Sequence, residues 1–464
     1  MASGHELVSV LVAASGRTAH LHHAVQSVLA QTHRPLELIV VGGAGAAEGA
    51  LAARRRALAA ARGAYVAFLD ADDLLAPDKI ARQAALLDAR PRLGAVHCGY
   101  HEVDPAGRLI DTAGRQPEGD VRAQLLRGCF PWSGGPLVRR ELLPIGADEP
   151  LHWLADWAMW LRVALTGHGL GCVQSPLGFR RVRPDCSTEE DVVRGERVVL
   201  EVLGEAYRRW ALPADVVVQE EQIRAGWHVR LGCRYESVGA AGHATRSFAR
   251  AASLCPAWRD DPAPLLAQLH VEVTSSPMRP SDPVRVVREV MKHLPSELAR
   301  ARDARGVLLG RVHVTLALRA YATGDRTAGR EHLVAAADED PRLIGAPERF
   351  AGDLASHARR LATDDPRAFV LRVLDDLPAC ARELAQARPV ALAEIAVAET
   401  LRRHRLPVVK RRMACAATVG THPREVMLRA PRRAPGPVVD VLRQPNPRRS
   451  AASPRDGRAS GVPG

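Results

Sequence analysis

The chain has 464 residues, of which 47% are hydrophobic and 25% charged, enough apolar content for real cores and too much length for one ordinary domain. Its formal charge of +12 belongs to the end of the chain, because residues from Arg402 onward hold fifteen Arg and Lys against three acids and the remainder is balanced; the pI of 9.9 therefore describes a tail and argues against a basic nucleic-acid-binding face on the body. Eight scattered cysteines without a CxxC pair exclude a readable zinc pattern or disulfide framework, no uncharged apolar run approaches a membrane span, and Met-Ala-Ser-Gly-His-Glu lacks the features of a signal peptide, so a cytoplasmic protein with reduced thiols is expected.

Residues 7–13 form a short apolar run, a predicted strand, and Leu21, Val25, Val28 and Leu29 then follow helical spacing. Residues 37–41 give a second apolar run, 49–62 a helix rich in Ala and Arg, 64–69 a third strand, 77–87 a helix and 94–103 another strand. Strands alternating with helices predict a parallel, doubly wound sheet. Asp156 precedes Trp157, Trp160, Leu161 and Ala164 at spacing i, i+3, i+4, i+7, a helix with an apolar stripe whose leading acid can serve as a cap or dipole partner. After about residue 195 helix follows helix. Gly239, Phe248, Ala251 and Pro256 return at a constant offset as Gly324, Leu333, Ala336 and Pro341, a pattern that resembles the tetratricopeptide repeat. Two copies are fewer than a self-supporting solenoid needs, which predicts a helical domain with repeat-like hairpins. From residue 406 the chain is rich in Pro, Arg, Ala and Gly with little periodicity, and a largely disordered, solvated tail is expected, with charge suited to anionic lipid or nucleic acid.

Residues 66–73 read Val-Ala-Phe-Leu-Asp70-Ala71-Asp72-Asp73, an apolar run ending in three carboxylates within four residues. A buried strand that stops this way puts acids at the carboxyl edge of a sheet, where open α/β folds bind ligands. Crowded acids repel one another unless a cation or hydrogen-bond donors compensate, and the suited cation is a hard divalent ion that also takes phosphate oxygens. The same tetrad can also be read as a solvated turn before a helix cap.

The tetrad belongs to an ordered series: Val8-Ser9-Val10-Leu11-Val12; Ala24-Val25-Gln26-Ser27-Val28-Leu29-Ala30-Gln31-Thr32; Glu37-Leu38-Ile39-Val40-Val41; Ala61-Arg62-Gly63-Ala64 leading into the tetrad; Pro77-Asp78-Lys79-Ile80; and Asp156-Trp157-Ala158-Met159-Trp160-Leu161-Arg162. Over roughly residues 6–190 this series resembles a family 2 glycosyltransferase of the GT-A fold. The resemblance implies an α/β, Rossmann-like mixed-sheet domain over 1–195; the pattern and composition described above add an α-helical, tetratricopeptide-like domain over 196–405 and a basic tail over 406–464. It implies a metal-dependent, inverting transfer of a sugar from a nucleotide-diphosphate sugar, with Mn2+ or Mg2+ as cofactor. By the family pattern Asp72 is the direct metal ligand, Asp70 supports the ribose or the metal shell, and Asp73 is a weaker candidate. Asp156 matches the second acid of the Glu-Asp element and becomes the general base, while Arg54 matches an arginine near the nucleotide base or diphosphate. Ala13, after strand one, and Gly42 and Gly43, after strand two, stand at the remaining donor-binding positions.

The departures from the pattern are specific. Ala13-Ala14-Ser15-Gly16 replaces a Pro-Thr-Tyr-Asn-like loop, Gly42-Gly43-Ala44-Gly45 replaces Asp-Asp-Gly-Ser, and Ala155 and Ala158 stand where acids are frequent. The base-reading carboxylate is therefore gone, although glycines let backbone approach a ligand closely. The Gln-x-x-Arg-Trp element of processive synthases is absent, since Ala206 precedes Tyr207-Arg208-Arg209-Trp210, which implies a single, non-processive transfer. Trp132 and Ser133-Gly134-Gly135 lie where the family shapes donor and acceptor pockets, or form a turn with one packed aromatic. His20, His22 and His23 are read as surface or packing residues. The acceptor is left open among a glycan, a lipid-linked sugar, a protein and a small metabolite. The helical domain is suited to an acceptor or a protein partner, and the tail to the anionic inner face of a membrane. A degenerate, non-catalytic GT-A module acting as a binding scaffold is the alternative.

Overall fold

The structure, a computed structural model, describes residues 6–14, 19–41, 50–143, 155–182, 187–275, 280–343, 345–361, 365–405 and 439–444. The first part alternates as the apolar runs predict: β1 (Val8–Ala13), α1 (Leu21–Leu29), β2 (Leu36–Val41), α2 (Ala50–Ala60), β3 (Tyr65–Asp70), the two-residue β4 (Leu74–Leu75), α3 (Lys79–Ala89) and β5 (Leu93–Val103). There follow β6 (Leu109–Ala113), α4 (Arg122–Arg127), β7 (Leu137–Arg139), α5 (Ala155–Leu165) and β8 (Gly169–Arg181). With β9 (Val439–Gln444) these strands make one sheet in the order β4-β8-β5-β7-β3-β1-β2-β9, and β6 pairs with β5.

The expectation of a parallel sheet holds only for β2-β1-β3 and for the β5–β8 pair. β7 runs antiparallel between β3 and β5, so the sheet is mixed. Parallel neighbours need a crossover connection, usually a helix, and β7 instead returns through the irregular segment around Trp132. Its three residues are too few to declare a period of their own.

Both faces of the sheet are covered, which is why the central strands read as continuous apolar runs. Val8, Val10 and Val12 share one core with Ala24 and Val28 of α1 and Ile80 and Leu87 of α3. Leu11, Ile39 and Phe68 face the other way, into a core with Trp157 and Trp160 of α5. The alternation is the two-residue period of a strand.

Beyond β8 the chain is helical. α6 (Glu189–Arg209) starts at a capping box in which Thr188 and Asp191 bond reciprocally, and it runs unbroken through residue 195. α7 (Ala214–Val217), α8 (Glu220–Ser237) and α9 (Ala241–Leu254) follow. Two helical hairpins occur at the predicted offset: α8 with α9 around Gly239, and Arg305–Thr323 with Arg326–Glu339 around Gly324. Both glycines have positive φ, 81° and 84°, the left-handed conformation that ends helices and favours glycine. Pro256 and Pro341 each open a short 3-10 turn after the hairpin.

The helices and the sheet share a core. Trp227 of α8 lies 4.4 Å, centroid to centroid, from Trp157 of α5, and its Nε1 donates to the Leu126 carbonyl at 2.7 Å. Val199 and Leu203 of α6 belong to the same cluster. One stretch of the tail departs from the expectation of disorder: β9 pairs antiparallel with β2 along its whole length, from Leu36↔Gln444 to Val41↔Val439. A six-residue strand amid Pro and Arg shows no pattern long enough to see in sequence. The other residues beyond 405 lie outside the described ones. Among the described residues no helix is long and apolar enough to cross a membrane.

Candidate active site

β3 buries its apolar residues and then delivers Asp70, exposed, to the carboxyl edge of the sheet, while Asp72 and Asp73 are buried. A tight turn follows, closed by the Asp73 N–H donating to the Asp70 carbonyl at 3.0 Å. β4 then docks on β8 through Leu74↔Phe179 and Leu75↔Gly178. Ala13 at the end of β1 lies in register with Asp70 on one side and with Val41 on the other.

The three acids differ in their surroundings. Asp73 accepts from Trp132 Nε1 at 2.7 Å on one oxygen and from the Arg181 N–H at 2.9 Å on the other. Burial, then the charge of Asp70, push its pKa up to about 7, against the pull of these two donors and of Arg180. Asp70 accepts from Ser133 Oγ at 2.9 Å. Arg181 adds a bond from Nε to the Asp72 carbonyl at 3.4 Å and one from Nη1 to the Pro105 carbonyl at 2.8 Å. Asp73 is thus a brace that ties β3 to β8 and to the Trp132 loop.

Trp132 is both a packed aromatic and a polar partner of the acid cluster. Its ring is buried against Tyr100, at a centroid distance of 5.8 Å. A Cβ on Gly178 would lie 2.2 Å from that ring and one on Gly134 2.5 Å, so glycine at both positions is what lets the indole in.

Sequence reading assigned no role to Ser27 or Gln31, and the structure supplies one. Gln31 Nε2 donates to the Ala76 carbonyl at 2.8 Å, its Oε1 accepts from Ile80 N at 3.1 Å, and Ser27 Oγ accepts from Leu75 N at 3.2 Å. Thr32 N donates to the Pro77 carbonyl at 2.8 Å. α1 and the residues that follow its end therefore fix the segment after the acids. The start of β3 is held similarly: Glu37 accepts from Ser9 Oγ at 2.5 Å and Arg62 N at 2.7 Å, and Ser9 Oγ accepts from Gly63 N at 2.8 Å. The available signal was a polar pair four residues apart at the end of an apolar helix and an acid inside an apolar strand.

Asp156 stands in the first turn of α5, half-buried. Its charge reaches Cys129, whose thiol is pushed up chiefly by burial and then by Asp156. Arg180, paired with Glu102 at 2.7 Å, acts on Cys129 and also on Asp73. Cys129 and Asp73 thus both lie within electrostatic reach of Arg180, and Cys129 also lies within reach of Asp156. Arg54 is carried by α2, and its side chain lies outside the described ones. Gly42 and Gly43 follow directly on β2 and lie outside the described residues. His22 and His23 are exposed, and among the described residues no group of three His, Cys, Asp or Glu could hold a metal ion unaided.

Residues 45–141 match the family model for glycosyl transferase family 2. An uncharacterized glycosyltransferase of Nostoc sp. is 28% identical over 209 residues, which cover 38% of this chain and 64% of that protein. One of Rickettsia conorii is 25% identical over 212 residues, covering 40% and 34% respectively. The chain therefore spans less than two thirds of the length of these relatives. Among solved structures, S. aureus TarS 1–349 covers 71% of this chain and 90% of its own, at 12% identity and a TM-score of 0.35. The mannosyltransferase PcManGT from Pyrobaculum calidifontis, solved in complex with GDP-Man and Mn2+, covers 63% and 88% at 17% identity and a TM-score of 0.35. The family-model match and the curated relatives support a family 2 glycosyltransferase.

Proposed function

We propose that this chain transfers a sugar, with inversion and in a single, non-processive step, from a nucleotide-diphosphate sugar to an acceptor hydroxyl. The observation that carries the reading is the division of work among the acids at the end of β3. Asp73 has both oxygens engaged by Trp132 and Arg181, which supports giving the ligand role to Asp72 and Asp70, as the family pattern does. Two carboxylates, with no third protein ligand among the described residues, suit a hard divalent ion that takes its remaining oxygens from phosphate and water. Mn2+ or Mg2+ held by Asp72 and Asp70 would neutralise the charge that develops on the leaving diphosphate.

The chain's own residues do the rest. Asp156 takes the proton of the acceptor hydroxyl as that oxygen bonds the anomeric carbon and the bond from that carbon to the diphosphate breaks. Arg54 meets the base or diphosphate, and Ala13, Gly42 and Gly43 offer backbone in place of the absent base-reading acid. The helical hairpins, read as tetratricopeptide-like, hold the acceptor or a partner protein, in a cytoplasmic protein whose basic tail can touch an anionic membrane. A binding scaffold without turnover is the second reading, favoured by the glycines at 42 and 43.

Calorimetric titration of nucleoside diphosphates and their sugars, with and without Mn2+ or Mg2+, tests both. The expected result is metal-dependent binding that weakens at least about tenfold in Asp72→Asn, and donor hydrolysis that falls about 10²–10⁴-fold in Asp156→Asn with binding retained. Binding without turnover on any acceptor selects the scaffold, and no nucleotide binding at all rejects the donor site.

A further inference from the structure

Away from the acid cluster, three helices and β6 enclose a charged seam. Helix Arg305–Thr323 places Arg311, Thr315 and Arg319 on one face at four-residue spacing, and helix Pro347–Leu361 places Arg349, Asp353 and His357 likewise, with Arg360 one turn on. His270, on helix Ala263–Thr274, bonds Thr315 Oγ1 at 3.0 Å.

The inner end of the seam is satisfied. Arg319 Nη2 and Arg360 Nη1 converge on one oxygen of Asp111 at 3.2 and 3.4 Å, and Thr112 N donates to the other at 2.7 Å. The outer end is not. Arg311 is half-buried and Arg349 exposed, they repel each other, and the carboxylate that attracts them, Asp353, acts without forming an ion pair with either. Four guanidinium groups thus face two carboxylates. Burial and the surrounding arginines hold His270 and His357 neutral, each lowered to about 4.

Two buried atoms point to what is missing. Arg360 Nε and His357 Nε2 have no hydrogen-bond partner, and His357 is only 6% exposed. His357 Nδ1 faces the Asp353 carbonyl at 2.8 Å. A carbonyl can only accept, so Nδ1 carries the proton and Nε2 is an acceptor. The seam therefore presents guanidinium donors, an excess of positive charge and one buried acceptor. A carboxylate or a phosphodiester satisfies the donors and the charge but has no proton to offer the acceptor. A hydrogen phosphate satisfies all three, because its oxygens accept from arginine forks and its P–OH donates.

We propose that this seam binds a phosphate monoester group, held between Arg311, Arg349 and Arg360 with its P–OH on His357 Nε2. The site is separate from the proposed donor site and does not rest on it. The two are linked through the sheet: Asp111 of β6 pairs in register with Glu102 of β5, and Glu102 holds Arg180, whose charge acts on Asp73.

The test uses the full chain in metal-free buffer, so that the acid cluster contributes no phosphate affinity. Inorganic phosphate and glucose 1-phosphate are titrated by calorimetry and by thermal unfolding. The expected result is saturable binding and a raised melting temperature, with affinity falling at least tenfold in Arg311→Gln/Arg349→Gln and less in Arg349→Gln, whose exposed side chain poses no folding risk. The ligand-free double variant is expected to melt no lower than the wild type, because a repulsion has been removed. Tighter binding of glucose 1-phosphate assigns the source to a phosphorylated sugar or polyol, and equal binding assigns it to free phosphate. Absence of saturable binding by both probes, or binding unaltered in the double variant, overturns the proposal.

Discussion

Asp70, Asp72 and Asp73 occupy four consecutive positions with Ala71, yet the fold gives them different work. Asp70 is exposed and Asp73 is buried with both oxygens engaged. Since the folded pKa of Asp73, about 7, lies above its ordinary 3.8, the folded state holds a proton across that interval. Its contribution to stability is fully present below about pH 4 and is lost as pH rises through 7. Trp132→Phe removes one donor to the ionised form, a bond to a charged group of about 1.5–3 kcal/mol, and extends the loss to higher pH by about one unit or more. Urea unfolding across pH 4–9 checks this, and a profile unchanged by the substitution would sink the role given to Trp132. Residue identity alone could not assign these roles, because Trp132 is fifty-nine positions from Asp73 and the bond depends on Gly134 and Gly178 leaving room.

At the scale of elements, α1 and the residues just past its end act as a clamp on the segment after the acids. Gln31 satisfies the buried Ala76 carbonyl and Ile80 N–H, groups that would otherwise be buried without partners. Gln31→Ala is expected to cost about 2–4 kcal/mol and to speed amide exchange over residues 74–80. A cost below about 0.5 kcal/mol with unaltered exchange would show that the clamp is dispensable. The spacing of Leu21, Val25 and Val28 made the helix legible, and burial explains why: an apolar stripe must face the sheet. The clamp itself was not legible, since Ser27 and Gln31 look like ordinary polar residues at a helix end until the chain forty-odd positions on is laid against them. β7 and β9 escaped for a related reason, since short strands acquire their identity from the neighbours they pair with.

The whole molecule is held together by Trp227, which carries a helix of the second part into the core of the first. It lies against Trp157 and donates to the Leu126 carbonyl, and Arg230 covers it at 4.3 Å from the ring centroid. Trp227→Ala is expected to cost about 3–5 kcal/mol. Because the core is shared, far-ultraviolet dichroism and tryptophan fluorescence should report one coincident unfolding transition in the wild type, displaced as a unit in the variant. Two separated wild-type transitions would refute the shared core as the source of cooperativity.

Sequence by itself determined the strands β1, β2, β3 and β5, the helices between them, the turn to helical structure after β8, and the place where three acids meet a sheet edge. All of these are local: continuous apolar runs, helical spacing, and a cluster adjacent in the chain. Tertiary structure alone decided that β7 interrupts the parallel order, that Asp73 braces the site, that Ser27, Gln31 and Trp132 support it, and that Arg319 and Arg360 converge on Asp111 beside His357. Each of these depends on which distant segments are brought within hydrogen-bonding or Coulombic range, and no periodicity along the chain encodes that distance.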